Sequence, residues 1–200
     1  MTPVMAHGLQ TMSIGFLVEE ASPMVWRGPM VTQALEQLLK NTEWDDIDYM
    51  IIDLPPGTGD TQLTLSQKIP VSGAIIITTP QDIALIDAQK GLAMFEKVNI
   101  PILGIVENMS IHICSNCDHA EEIFGHGGGK LMAQNSNTNF LGALPLQIDI
   151  RTDVDEGIPS VARDPDSRVA MMYQEIGRRV AATLSLQSES VGAFPKITIE

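Results

Sequence analysis

Residues 112–130, HICSNCDHAEEIFGHGGGK, hold both cysteines of the chain, three of its four histidines and a run of glycines. Cys114 and Cys117 are spaced C-x-x-C, which puts two soft thiolates within reach of one ion or cluster. Zinc and iron–sulfur clusters both take such ligands, so the spacing alone leaves the metal open. A closed zinc site would use Cys114 and Cys117 with two of His112, His119 and His126. A dithiol redox pair is a further reading; it requires a lowered thiol pKa, usually at a helix N-terminus, whereas HICSNC follows an extended segment. An ordinary surface pair is the plainest reading, and in each case but the zinc site the histidines are solvated loop residues.

A second stretch, DLPPGTGD, ends an apolar run in Asp53 and continues through Pro55, Pro56, Gly57 and Gly59. In open α/β sheets ligands bind beyond the carboxyl ends of strands, so a carboxylate there is placed to hold magnesium through water. Glycines let backbone N–H groups approach a phosphate, and prolines stiffen the loop. The glycine run FGHGGGKL is a poor phosphate loop by comparison. Phe124 stands where a G-x-x-x-x-G-K-[ST] element needs its first glycine, Leu131 stands at its Ser or Thr, and no apolar strand precedes it. It reads as a flexible turn before a helix. Arg27 is placed to contact a partner subunit or a phosphate, and its plainer reading is a turn residue before a helix; Asp82 and Asp87 read as capping or solvent-facing residues, and Met171 and Met172 as core packing.

Positioning these residues requires a regular frame. Short apolar, β-branched runs at Met12–Val18, Asp48–Leu54, Gly73–Thr79, Ile102–Asn108 and Asn139–Pro145 read as buried strands. Helical spacing occupies Pro29–Asn41, where Met30, Ala34, Leu35, Leu38 and Leu39 form one stripe, and also Gln81–Val98 and Asp164–Leu186. Alternating strands and helices predict an α/β fold, a mostly parallel sheet with helices on both faces. The reading is one domain over residues 1–186 with a tail at 187–200. A formal charge of −13 sets the surface against nucleic acid. No apolar run is long enough to span a bilayer, and the start MTPVMAHGLQ has no signal-peptide pattern. No membrane and a cytoplasmic location are expected.

Six segments in this order, MAHGLQTMSIGFL, VWRGPM, DLPPGTGDTQLTLSQ, TTPQDIALIDAQKG, GIVENMS and HICSNC, resemble the Mrp/ApbC family of ATP-binding iron–sulfur cluster carriers, from about Met5 to about Leu186. The resemblance implies a P-loop NTPase-like fold of the deviant Walker A class, similar to MinD and the nitrogenase iron protein. It implies that Asp53 senses the nucleotide through a magnesium-bound water, with Pro55 and Gly57 in the same loop, and that the Asn108 amide reads an adenine edge. For Cys114 and Cys117 it implies a cluster, expected to be 4Fe-4S. One chain supplies two thiolates where a cubane uses four, so the arrangement is a homodimer bridged on its axis, with apo iron–sulfur proteins as recipients.

The family's phosphate loop and the switch I segment after it are absent from this sequence. ATP with magnesium, and ATPase activity, are therefore expected of the complete protein, and this chain is read as its carboxyl-terminal part, inactive alone. Without a neighbour, the strand ending in Asp53 is expected to leave an unpaired edge that the sheet must rearrange over or a second copy must cover. A MinD/ParA-like positioning ATPase and a zinc-bound interaction module are the rivals. The cysteine pair and the lack of a basic amphipathic terminal helix speak against the first.

Overall fold

The computed structural model describes residues 1–17, 28–54, 69, 71–117 and 119–191. It divides into two units, Met1–Pro70 and Val71–Glu200.

In the first unit, β1 (Val4–Ala6) and β2 (Leu9–Thr11) form an antiparallel hairpin, with Val4 opposite Thr11 and Ala6 opposite Leu9. His7 and Gly8 both have positive φ (50° and 78°), the conformation a two-residue hairpin turn requires. The expected strand at Met12–Val18 is not formed where it is described. Ile14–Phe16 is a turn of 3-10 helix, because the Ser13 side chain accepts from the Gly15 N–H at 3.1 Å and closes the backbone on itself. Helix α1 (Gly28–Lys40) matches the expected helix, and Leu38 is buried on it, while Met30, counted in the apolar stripe, is exposed.

The other expected strand of this unit, Asp48–Leu54, has no regular structure, and Ile51 is 92% exposed. No strand pairs with it among the described residues. An extended segment whose N–H and C=O groups lack a neighbouring strand has nothing to make it a strand, whatever its side chains favour.

The second unit is built on three parallel strands in the order β3 (Ala74–Thr78), β4 (Ile102–Glu107), β5 (Phe140–Ala143). Each step is a strand–helix–strand crossover. Helix α2 (Asp82–Lys97) follows β3 and packs on it; α3 (Gly128–Asn135) packs on β4; and the long α4 (Arg168–Val191) packs on β5 and β4.

Central β4 is buried from Leu103 to Glu107, with Ile105 at 0% exposure. Val106 turns to one face and packs with Leu141 and Leu144 beneath Met172, Tyr173, Ile176 and Val180 of α4. Ile105 and Glu107 turn to the opposite face, where α3 packs on β4 and its Gly129 N–H meets the Glu107 carboxylate. This is the expected fold class, with one difference. On β3 only Ala74, Ile76 and Thr78 are buried, and Ile77 is 65% exposed. One face of that strand is therefore uncovered among the described residues.

Two short helices between β5 and α4, at Ile148–Asp155 and Ser160–Arg163, are joined through the buried Asp153. Its carboxylate accepts from Ser160 Oγ at 2.6 Å and pairs with Arg163 Nε at 2.6 Å. Helix α4 begins at Arg168 rather than Asp164, because Ser167 Oγ accepts from the Ala170 N–H at 3.1 Å and caps it. It runs past Leu186 to Val191, so the expected tail begins in helix. Met172 packs in the core as expected, whereas Met171 is 51% exposed.

Candidate functional site

The cysteines are carried by a small hairpin, His112–Ile113 against Ala120–Glu121, with His112 opposite Glu121 and Ile113 opposite Ala120. The Cys114 N–H donates to the His119 carbonyl at 2.9 Å. Cys114 and Cys117 thus lie in the loop at the hairpin tip, Cys114 partly buried and Cys117 exposed, both as free thiols.

The hairpin base is fixed to the sheet. Ser110 N–H donates to Leu144 O at 2.9 Å and Leu146 N–H to Ile111 O at 2.8 Å, and a parallel bridge joins His112 to Leu146. The segment after β4 therefore stays beside the segment after β5 until the hairpin departs, which sets the thiols beyond the carboxyl end of the sheet. That is where open α/β sheets hold their ligands.

The Cys114 thiol has a pKa below its ordinary value because backbone N–H groups of Asn116 and Cys117 and the Cys117 side chain hydrogen-bond the sulfur, favouring thiolate. A turn of backbone donors supplies what a helix N-terminus supplies elsewhere. A thiolate is the form that ligates metal, and the hairpin holds both sulfurs on one short loop.

The histidines do not complete a metal set. His112 Nδ1 lies 3.0 Å from the Leu146 carbonyl, which can only accept, so that nitrogen carries the proton. His126 pairs with Glu122 at 2.6 Å and His119 lies 3.9 Å from Glu121. Among the described residues no three or more His, Cys, Asp or Glu side chains gather as a metal site. Two thiolates are what one chain presents.

Asn108 follows β4 directly. Its N–H donates to Thr78 O at 2.7 Å, and its Oδ1 accepts from the Met109 N–H at 2.9 Å, with Met109 at φ 55°. It therefore belongs to the same carboxyl-end loop as the hairpin. Asp53 lies exposed in the other unit, at the end of the irregular segment. Pro55, Pro56, Gly57 and Gly59, and also Arg27, lie outside the described residues. Asp87 is exposed and pairs with Lys90 at 2.9 Å, and Asp82 lies in the first turn of α2, in keeping with solvent-facing and helix-start roles.

The glycine run has a packing explanation. Gly128 and Gly129 open α3, and the buried Glu107 carboxylate accepts from the Gly129 N–H at 2.6 Å. A Cβ on Gly128 would come within 2.9 Å of the Pro80 carbonyl oxygen and 2.5 Å of Leu85 Cδ1. The N–H that a phosphate would need is held by a carboxylate of the protein, and the glycines allow close approach of helix and sheet. The pattern of the glycines offered a phosphate loop, but Glu107, the residue that answers them, carried no signal in the sequence.

A family model described as ParA, NUBPL iron-transfer P-loop NTPase, matches residues 1–181. The chain belongs to this family. Within it, the iron-sulfur cluster carrier protein of Salmonella typhimurium is 57% identical over 191 residues, covering 96% of this chain and 52% of that one. The mouse iron-sulfur cluster transfer protein NUBPL is 49% identical over 189 residues, 94% of this chain and 59% of that one. The chain spans about half the length of such carriers.

Among solved structures, a nucleotide-binding protein from Archaeoglobus fulgidus in complex with ADP superposes with a TM-score of 0.65 at 33% identity, over 78% of this chain and 60% of that one. The MinD cell division ATPase of Pyrococcus furiosus gives 0.56 at 22% identity, over 76% and 58%. It supports the fold alone, the MinD-like α/β sheet expected from the sequence.

Proposed function

We propose that this NUBPL-family chain carries an iron–sulfur cluster on Cys114 and Cys117 and passes it to apo iron–sulfur proteins. The observation that carries the proposal is the hairpin tip, where two free thiols, one partly buried and one exposed, stand on one short loop beyond the sheet. The names of the carrier relatives support the choice of a cluster over zinc.

The cluster is cargo. Two chains related by a two-fold axis supply four thiolates, as a 4Fe-4S cubane uses, and the exposure of Cys117 lets an incoming acceptor thiol reach the iron it holds. Release then proceeds by ligand exchange: the acceptor sulfur binds iron as Cys117 sulfur leaves, and the proton of the acceptor thiol passes to the departing thiolate.

In the complete protein ATP and magnesium act through Asp53, Pro55, Gly57 and Asn108, with Asn108 joining the nucleotide to the cysteine hairpin through one continuous loop. Free thiols persist in a reducing compartment, and the cytoplasm is the proposed setting. Among the described residues no helix is long and apolar enough to cross a membrane.

The test is transfer. Chain reconstituted anaerobically with iron and sulfide is mixed with an apo-ferredoxin and an iron chelator. Chelator-resistant holo-ferredoxin formation is expected, and it should be lost in Cys114→Ala and in Cys117→Ala. Transfer that survives both substitutions contradicts the proposal.

A further inference from the structure

Glu107 is 4% exposed at the end of β4, and nothing in the cluster or nucleotide chemistry above uses it. Carboxylates are seldom buried unless a partner holds them. Here the partner is main chain, the Gly129 N–H, 2.6 Å from Oε2.

Three segments meet at this residue. Thr78 of β3 is its neighbour in the sheet, the Leu144 N–H after β5 donates to its carbonyl at 2.8 Å, and α3 begins at its side chain. Beyond Glu107 the chain runs alongside the segment after β5 to the base of the cysteine hairpin, and it meets Glu107 again at Gly129. That excursion contains Asn108 and the whole cysteine hairpin. Its outgoing limb is pinned by Asn108 on Thr78, Ser110 on Leu144, and Ile111 and His112 on Leu146. Its returning limb passes through Gly125 and Gly127, both at positive φ (99° and 65°), before Gly129 docks. A Cβ on Gly129 would lie 3.0 Å from Glu107 Cβ, so the docking has no slack.

We propose that Glu107 is a positioning residue for the thiol pair: its carboxylate closes the excursion between its two ends and so fixes how Cys114 and Cys117 are presented. A hydrogen bond held away from water is stronger than the same bond exposed, and it stiffens the joint. The purpose of this positioning rests on the cluster-carrying reading, but its test needs no cluster.

In the apo chain, phenylarsine oxide needs both sulfurs at the right separation and iodoacetamide needs one, so the ratio of their rates reports the geometry of the pair. Glu107→Ala should lower that ratio by about tenfold, the scale of loss expected from misplacing paired groups. Glu107→Gln, which keeps an acceptor for the Gly129 N–H, should stay within about twofold of the parent. Gly129→Ala pushes helix and strand apart with the carboxylate still present, and should fall between the two. If Glu107→Ala does not fold, the fall in Gly129→Ala carries the test.

A plain structural cap would lower the thermal midpoint and leave the ratio alone. A ratio unchanged in Glu107→Ala, or in Gly129→Ala where the first does not fold, overturns the proposal, as does a loss in Glu107→Gln equal to that of alanine. Ratios that move as stated in a chain that holds no cluster would overturn the carrier reading and leave the positioning role standing.

Discussion

The backbone N–H of Cys114 donates to the carbonyl of His119 at 2.9 Å, and this one bond turns a C-x-x-C spacing into a presented pair of thiols. It closes the hairpin immediately outside the His112–Ile113 strand. The Asn116 and Cys117 donors are thereby folded back onto the Cys114 sulfur.

Because those donors favour thiolate, Cys114 should react at lower pH than an unstructured thiol. Iodoacetamide alkylation across pH, resolved by residue with mass spectrometry, should show a Cys114 inflection below that of a short peptide of residues 112–119. The sign for stability follows from linkage: a thiol whose folded pKa lies below its unfolded one stabilises the fold fully above the unfolded value, and that contribution is lost as pH falls through the folded one. Coincident inflections in chain and peptide would remove the proposed thiolate preference.

Ile105 is fully buried in central β4. Ile105→Ala should cost about 2–5 kcal/mol, through lost transfer energy and the cavity left behind. Urea unfolding followed by circular dichroism measures it; a change under about 1 kcal/mol would mean that this strand is not the core of its unit.

Gly128→Ala should also destabilise, since the new methyl would meet the Pro80 carbonyl oxygen at 2.9 Å and backbone does not yield as a side-chain end does. A cost of about 1–3 kcal/mol is expected from overpacking. A neutral result would show that the glycine run is not there for close approach.

Much of this was legible in the sequence because the local signals agreed with the fold. The β-branched runs of β3, β4 and β5 and the helical spacing of α2 are found within a residue or two of their expected places. The failures have physical causes. Asp48–Leu54 has the composition of a strand, but pairing depends on a neighbour that composition does not report. The short helix Ile148–Asp155 carries no helical signal because it inverts the usual pattern, burying Asp153 while leaving Ile148 and Val154 about 60% exposed. The thiol pair was legible from spacing. The Glu107–Gly129 bond was not, since it joins residues 22 apart through one side chain and one backbone N–H.

No G-x-x-x-x-G-K-[ST] element occurs in this sequence, and the N–H of Gly129 is already held by Glu107. Phosphoryl transfer depends on such donors and their lysine. The chain as given should therefore hydrolyse no ATP and bind it weakly, and Lys130→Ala should change neither. Calorimetry giving a dissociation constant of about 1 μM or tighter for Mg-ATP, equivalent to about −8 kcal/mol, would show a phosphate site elsewhere.

Cluster stoichiometry decides whether two chains share one cluster through Cys114 and Cys117. After anaerobic reconstitution, iron and acid-labile sulfide are quantified on the size-resolved species, with Mössbauer spectroscopy identifying the cluster. One 4Fe-4S cluster per dimer is expected, absent from the Cys114→Ala and Cys117→Ala chains, which should then run as monomers. A monomer holding stoichiometric zinc that iron and sulfide cannot replace, or a cluster that survives loss of either cysteine, would contradict it.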